Sequence, residues 1–396
     1  MAAPNRTVRV LYVASDLPCP PGQGSHLRIL NVARQLAKAY SVTFVYAGPP
    51  AAQDRLEATR AVFGDIVVMP TVSWPLTGAA ARLRHKVQFH WPWYHAAPVA
   101  RSDKARFARL HREHDLTWFH TLAPADSLGL RRPEHAVVDL DDLNHVKYRL
   151  KLAADASLRL RTADRILAYK WSRWERRALD RFDAVAVCSR EDRRVLGDHE
   201  RIVVIPNGFD KPAETPTWTE RRAMRLGFLG HLGYTPNRDG MHWYAREVWP
   251  KIQRVLPSVQ MRLVGRHDPR SDFSHVPGFT HLGFVEDVTE EMATWSAMVV
   301  PLQFGGGTRL KILEAFSRMC PVVATPVGAY GLDVTHERDI LLSSDPEGFA
   351  ARCVSLLQDP AKGQPLAEAA WRTFVRHYDW DVIGDTIRSL VRTLAP

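Results

Sequence analysis

The sequence predicts an α/β protein built from two Rossmann-like domains, and three observations predict it. At 396 residues the chain is too long for one ordinary core, and 45% hydrophobic with 24% charged residues is the normal range for a folded protein. A strand–loop–helix–strand unit opens the chain at VRVLYVA (8–14), and another begins at LGFLGHLGY (226–234), the building block of parallel sheets. In PLQFGGGTRLKILEAFSRMCPVVATP (301–326), an apolar strand runs through Gly305, Gly306 and Gly307 into a helix and then a second apolar strand. That is the form of a phosphate-binding turn, in which glycine lets a ligand approach the backbone and a helix start offers N–H groups to an anion.

Composition narrows the classes further. Cys19, Cys188, Cys320 and Cys353 stand far apart with no C-x-x-C pair, so neither a zinc site nor a disulfide framework is indicated and a reducing compartment fits. The opening MAAPNRTVRVLYVA lacks a long apolar run, and other apolar runs fall well short of the ~18 residues a membrane span needs. The expectation is a cytoplasmic protein. A formal charge of +10 and a pI near 9.6 are compatible with an anionic partner, and charge alone does not choose among a nucleotide, a phospholipid surface, a pyrophosphate-linked acceptor and a nucleic acid. No RRM, KH or helix-turn-helix signature points to nucleic acid.

Along the first half, VRVLYVA leads through a loop containing Gly22 and Gly24 into a helix with apolar Leu27, Leu30, Val32, Ala33 and Leu36. The loop is not a G-x-G-x-x-G fingerprint, because the third position is Leu27. Residues 81–114 interleave Arg, Lys and His with Trp91, Trp93 and Tyr94, and the basic helical stretch 147–182 carries Trp171 and Trp174 one turn apart. Both stretches fit a surface at a lipid headgroup layer, and both equally fit solvated helices with a few buried aromatics. DLTWFH reads as a strand ending at His120, where parallel strands face a ligand crevice. AVVDLDD ends in Asp139, Asp141 and Asp142; a D-x-D pattern suits a divalent ion, but strand-end acids that cap a helix or meet acceptor hydroxyls are the preferred reading. RIVVIPNG closes the first half at the Asn207–Gly208 turn signal, and KPAETPTWTE reads as the linker. The expected domains are therefore 1–210, joined by 378–396, and 211–377.

In the glycine turn, Thr308, Arg309 and Lys311 add hydroxyl and positive charge, and Glu314 offers a carboxylate to ribose or sugar hydroxyls. A plain Rossmann turn with Lys311 and Glu314 as a surface pair is the structural alternative.

These residues carry a resemblance. GGGTRLKILEAFSRMCPVVAT is similar to the donor-binding segment of the retaining family-4 glycosyltransferases (glycosyltransferase group 1), which have the GT-B fold. The resemblance implies two Rossmann-like domains facing across a cleft, the first binding acceptor and the second nucleotide sugar, with a C-terminal helix crossing back to the first domain, pinned here by Trp380. It implies that Glu314 is the second glutamate of an E-x7-E signature whose first position is Gly306 here. By the same resemblance Gly24, His26 and Arg28 line the cleft, and His120 contacts the reacting sugar. Gly230 and Arg238 belong to the diphosphate loop, with His231 standing where an arginine is usual. Arg266 ends a strand nearby, and Phe284, Val285 and Glu286 hold the base by main-chain bonds. The implied activity is transfer of a sugar from a nucleoside diphosphate sugar to an acceptor hydroxyl with retention, without metal or other cofactor, in cell-envelope, exopolysaccharide or glycolipid synthesis. His120, Glu314, Arg309 and Lys311 are the expected catalytic residues. Gly24, Gly230, Arg238, Arg266, Val285, Glu286, Gly305, Gly306, Gly307 and Thr308 are the expected donor-binding residues. A GT-B epimerase, glycosylation of a small metabolite and a non-catalytic nucleotide-sugar binder remain as alternatives. The expected location is the cytoplasm, peripheral on the membrane face.

Overall fold

The computed structural model describes residues 7–22, 24–72, 97–154, 158–218, 223–266, 268 and 271–395. Trp91, Trp93 and Tyr94 lie outside these. The chain divides into two compact units, Met1–Pro206 with Ile383–Pro396, and Asn207–Val382.

The first unit is a seven-stranded sheet of β1 (Arg9–Ala14), β2 (Ser41–Tyr46), β3 (Ile66–Val68), β4 (Leu116–His120), β5 (Ala136–Asp139), β6 (Ala184–Val187) and β7 (Ile202–Val204). Its order is β3-β2-β1-β4-β5-β6-β7, with every pair parallel. Strands such as Val10–Ala14 and Ala184–Val187 are apolar throughout because helices cover both faces of a parallel sheet. The chain builds outward from β1 to β3, then returns past β1 to β4, so the order reverses between β1 and β4. Loops leaving two neighbouring strands in opposite directions open a crevice at their carboxyl ends.

The second unit repeats this plan with β8 (Arg225–Leu229), β9 (Gln260–Val264), β10 (Phe279–Gly283), β11 (Ala297–Val300), β12 (Val322–Ala324) and β13 (Leu341–Leu342). The order β10-β9-β8-β11-β12-β13 reverses between β8 and β11. Two apolar layers sandwich the sheet, one containing Phe228, Tyr244, Trp249 and Phe349, the other Trp295, Ile312, Phe316 and Phe374. The Phe209 N–H donates to the Tyr378 carbonyl at 3.0 Å, which ties the start of this unit to its end.

The terminal helix, Trp380–Leu394, spans the division at Val382/Ile383. Ile383, Ile387 and Val391 form a buried stripe at helical spacing. Within the first unit, Arg388 Nη1 donates to Gln35 Oε1 at 2.8 Å and the Tyr40 hydroxyl donates to the Arg388 carbonyl at 2.8 Å.

One expectation is corrected here. Trp171 and Trp174 are not interfacial: both are buried, their ring centroids 5.0 Å apart, and Trp174 Nε1 donates to Asp126 Oδ2 at 2.7 Å. The helix Leu158–Arg176 turns Asp164, Ala168, Trp171, Trp174 and Glu175 inward, while Arg165, Arg173 and Arg176 are exposed on its other side. No helix among the described residues is long and apolar enough to cross a membrane.

Candidate functional site

In the second unit, the loops after β8 and β11 emerge side by side at the point where strand order reverses. The first runs from Gly230 into the helix Thr235–Trp243, and the second, 301–309, enters the helix Leu310–Ser317. Gly305 and Gly307 take positive φ, 123° and 81°, which ends any helix there. The helix therefore starts at Leu310, three residues beyond the glycines, and Arg309 is its N-cap residue.

Arg309 is buried and turns back on the loop: Nη1 donates to the Gly306 carbonyl at 2.6 Å and Nη2 to the Gly305 carbonyl at 2.7 Å. It braces the turn. The cation that reaches across is Lys311. Its Nζ donates to Asn237 Oδ1 at 2.8 Å and sits 4.1 Å from the centre of the Phe228 ring. Asn237 Nδ2 in turn donates to the His231 carbonyl at 2.9 Å. Gly230 lies against this pair with φ 152°; a Cβ there would stand 2.7 Å from Lys311 Nζ and 2.8 Å from Asn237 Nδ2. Burial, reinforced by the Arg309 charge and opposed by Glu314, lowers the Lys311 ammonium to about 7. Such a group gains most from an arriving anion. The Thr308 hydroxyl oxygen is buried with no hydrogen-bond partner among the described residues, an orphan donor beside the same glycines.

Glu314, on the same helix, is largely buried, and its Oε1 lies 3.3 Å from Arg318 Nη1. Burial raises its carboxyl above the ordinary value; Arg318 and Lys311 oppose the shift and Asp287 adds to it. Arg238 Nε is turned to its neighbour Asp239 at 3.1 Å. His231 Nδ1 accepts from the Gly233 N–H at 2.7 Å. Backbone bonds extend the row of loops: Gly230 N–H to the Val264 carbonyl and Gly265 N–H to the Gly283 carbonyl, 2.9 and 2.8 Å. This continuity brings Arg266 over the Phe284 ring at 6.0 Å, with Phe284 70% exposed, Glu286 exposed and Val285 half-buried. Gly230, Asn237, Gly305 and Lys311 are thus gathered at one point, and Arg266, Phe284, Val285 and Glu286 stand further along the same edge.

His120 and Gly24 belong to the first unit. His120 ends β4 with its side chain buried and Nδ1 without a partner among the described residues. Burial lowers its imidazole, against the upward pull of Asp141 and Asp139. Gly24 opens the helix Gly24–Ala37 and is exposed. His26 Nε2 meets Asp16 Oδ2 at 2.8 Å and closes the loop after β1. Arg28 does not reach a ligand crevice: it is fully buried, forks onto Asp139 at 2.8–3.0 Å and donates to the Ile205 carbonyl at 3.0 Å. The helix face that carries Arg28 packs inward, and Asp139 supplies the counter-charge that burial of the guanidinium demands. Asp139 is thereby occupied as an ion-pair partner and not as a helix cap. Ligand atoms of Asp141, Asp142 and Cys188 lie within 4.8 Å of one another.

Residues 223–359 match the family described as Glycosyl transferases group 1. The chain is 27% identical over 237 residues to a phosphatidyl-myo-inositol mannosyltransferase of Mycobacterium leprae, covering 56% of this chain and 61% of that one. It is 22% identical over 162 residues to an uncharacterized 44.6 kDa protein in the cps region of Klebsiella pneumoniae, covering 38% of this chain and 42% of that one. The chain thus matches about two-fifths to three-fifths of the length of these curated relatives. Among solved structures it is similar to TarM (TM-score 0.69, 9% identity, 98% and 99% of the chains). It is also similar to Anabaena HepE in complex with UDP and glucose (TM-score 0.61, 16% identity, 98% and 100%). The fold is GT-B, two Rossmann-like α/β units.

Sequence reasoning passed over two features. One is Asn237, which stands at the start of the helix that follows the glycine loop and holds Lys311. The other is Glu175, the one acid between Asp164 and Asp180 in an Arg-rich helical stretch and on the same face as Trp171.

Proposed function

We propose that the protein transfers a sugar from a nucleoside diphosphate sugar to an acceptor hydroxyl, with retention, in the synthesis of a cell-envelope polysaccharide or glycolipid. The observation that carries this reading is the cradle of Gly230, Asn237 and Lys311 beside the orphan Thr308 hydroxyl, at the reversal point of the second sheet. The match of residues 223–359 to the group 1 glycosyl transferases, and the similarity to a mannosyltransferase and to a protein of a cps region, support it.

In this scheme the diphosphate lies against Gly230, with Lys311 and the Thr308 hydroxyl donating to its oxygens. Arg309 holds the glycine turn open and adds to the positive field. As the bond from C1 to the phosphate oxygen breaks, charge develops on that oxygen, and donors already fixed in a buried site stabilise it without reorganisation. Glu314 accepts hydroxyls of the transferred sugar, as the similarity to family-4 enzymes implies. The acceptor oxygen bonds to C1 on the face the phosphate leaves, and its proton passes to the leaving phosphate. By the same similarity His120 contacts the reacting sugar. With Lys311 and the turn supplying the counter-charge, the reaction proceeds without a metal ion.

The protein works at an anionic membrane surface. The helix Leu158–Arg176 exposes Arg165 and Arg173, with Arg177 exposed directly after its end, together with Ile166 and Tyr169, 42% and 51% exposed, and buries its only acids, Asp164 and Glu175. Such a stripe suits anionic headgroups.

The test is a panel of UDP-, GDP- and ADP-sugars followed by mass spectrometry and NMR of the product, with and without EDTA. An α-linked product from an α-linked donor, formed equally in EDTA, is expected. Conversion of the donor alone to an isomer would replace this reading with an epimerase. Activity lost on chelation and restored by Mg or Mn would overturn the metal-free scheme.

A further inference from the structure

Ser15, Thr121 and Leu140 are the first residues after β1, β4 and β5, and all three line a cavity of about 250 Å³ at the reversal point of the first sheet. The volume lies below the ~300–1,000 Å³ of sites for drug-sized ligands, so it has room for one ring and not for an oligosaccharide. Its far wall is aromatic. Trp171 and Trp174 line it, their planes 51° apart, and Trp174 is held in place by Asp126, which is itself ion-paired with Arg181 at 2.7 Å.

Glu175, on the same helix face, also lines the cavity. One carboxylate oxygen accepts the Asn144 N–H at 2.7 Å, and the other meets His145 Nδ1. The His145 backbone N–H also bonds to this carboxylate, and of its roughly four acceptor sites one is left for a ligand hydroxyl. His145 Nε2 is buried with no hydrogen-bond partner among the described residues. No Lys or Arg lines the cavity among the described residues, so an anionic group placed there would meet the Glu175 carboxylate without counter-charge. Indole rings take the C–H face of a sugar or cyclitol, and a fixed carboxylate takes its hydroxyls.

We infer that this cavity binds the acceptor, and that the acceptor presents an uncharged ring polyol, one sugar or cyclitol unit, with hydroxyls on Glu175 and Asn144 and a face against Trp171. The inference rests on the transferase reading. Thr121 directly follows His120, so a hydroxyl at that end of the cavity lies next to the strand-end histidine.

The experiment uses the full chain, as wild type, Ala123→Met and Glu175→Gln. Ala123 lines the cavity, and methionine there fills it without changing charge. Calorimetry and tryptophan fluorescence follow titration with myo-inositol, methyl α-glucopyranoside and methyl α-mannopyranoside, and with glucose 6-phosphate and glucuronate. UDP and GDP are titrated in parallel. At least one neutral probe is expected to bind wild type and shift its fluorescence, while the two anions bind at least 10-fold more weakly. Glu175→Gln should weaken the neutral probe about 10- to 100-fold, and Ala123→Met should abolish its binding, with nucleotide affinity unchanged in both. Anions binding as well as the neutral probes, no neutral probe binding, or neutral binding unaffected by both substitutions would overturn the inference. Neutral probes binding as described with no nucleotide binding would leave the cavity assignment standing and remove the transferase reading instead.

Discussion

Raising the pH from 6 to 8 is expected to weaken binding of an intact nucleoside diphosphate sugar about tenfold, through one residue. Lys311 Nζ is surrounded by the Phe228 ring, Asn237 and Gly230, and its ammonium titrates at about 7 instead of 10.5. With that midpoint about nine-tenths of the molecules carry the charge at pH 6 and about one-tenth at pH 8. A diphosphate selects the charged form, so at pH 8 each binding event must first protonate Lys311, at a cost of about 1.4 kcal/mol. The phosphates of an intact donor stay ionised across this range, so the ligand contributes no slope of its own. Arg309 and Glu314, the charged neighbours that act on Lys311, do not change protonation state over this range in opposite senses: the arginine stays charged, and Glu314 can only lose its proton as pH rises, which favours the ammonium and flattens the profile. Folding has the opposite sign. The unfolded chain holds the Lys311 proton up to about 10.5 and the folded chain only to about 7, so stability rises with pH through that window while donor affinity falls. The assay is calorimetric titration at pH 6, 7 and 8 in buffers of different ionisation enthalpy, which also reads out about half a proton taken up per donor bound at pH 7. Lys311→Met should bind about 10- to 100-fold more weakly than wild type at pH 6 and show no slope. A flat wild-type profile, or the same slope in Lys311→Met, would refute the reasoning.

Three further outcomes follow from the geometry. Gly230→Ala places a Cβ 2.7 Å from Lys311 Nζ at a positive φ of 152°, and should reduce stability by about 1–3 kcal/mol in urea unfolding and donor affinity at least tenfold; an unchanged affinity would detach Lys311 from the donor. Arg28→Met leaves Asp139 buried without its counter-charge and should lower stability by about 3–5 kcal/mol, most of it recovered by adding Asp139→Leu; a loss below about 1 kcal/mol in the single variant would show that the pair is dispensable. Wild type should sediment with phosphatidylglycerol vesicles in low salt and be released as salt screens the contact, and replacing Arg165, Arg173 and Arg177 together by glutamine should abolish this, at about 1 kcal/mol per arginine; a wild type left in the supernatant with anionic vesicles at low salt would refute the membrane surface.

The sequence by itself determined the class of fold and pointed to the stretch that carries the candidate donor site. Both follow from local patterns: apolar strands with β-branched residues at the opening of each half, and three glycines between a strand and a helix, which break both elements and leave a turn with an open backbone. Side-chain direction was not local. Arg309 and Lys311 stand two residues apart, yet only the packed loops decide that one folds back onto the Gly305 and Gly306 carbonyls while the other crosses to Asn237, 74 positions away. Trp171 and Trp174 are compatible with either face of a helix dense in arginine. Both turn inward in the folded unit, where Trp174 donates its indole N–H to Asp126, 48 positions earlier, and no pattern within the helix encodes that partner. Arg28 read as a cation near a glycine turn until the fold placed Asp139, 111 residues later, directly against it. Periodicity fixes which residues share a face, because backbone geometry is short-range; what each polar group pairs with depends on strands brought together by long-range register, and only the tertiary structure supplies that.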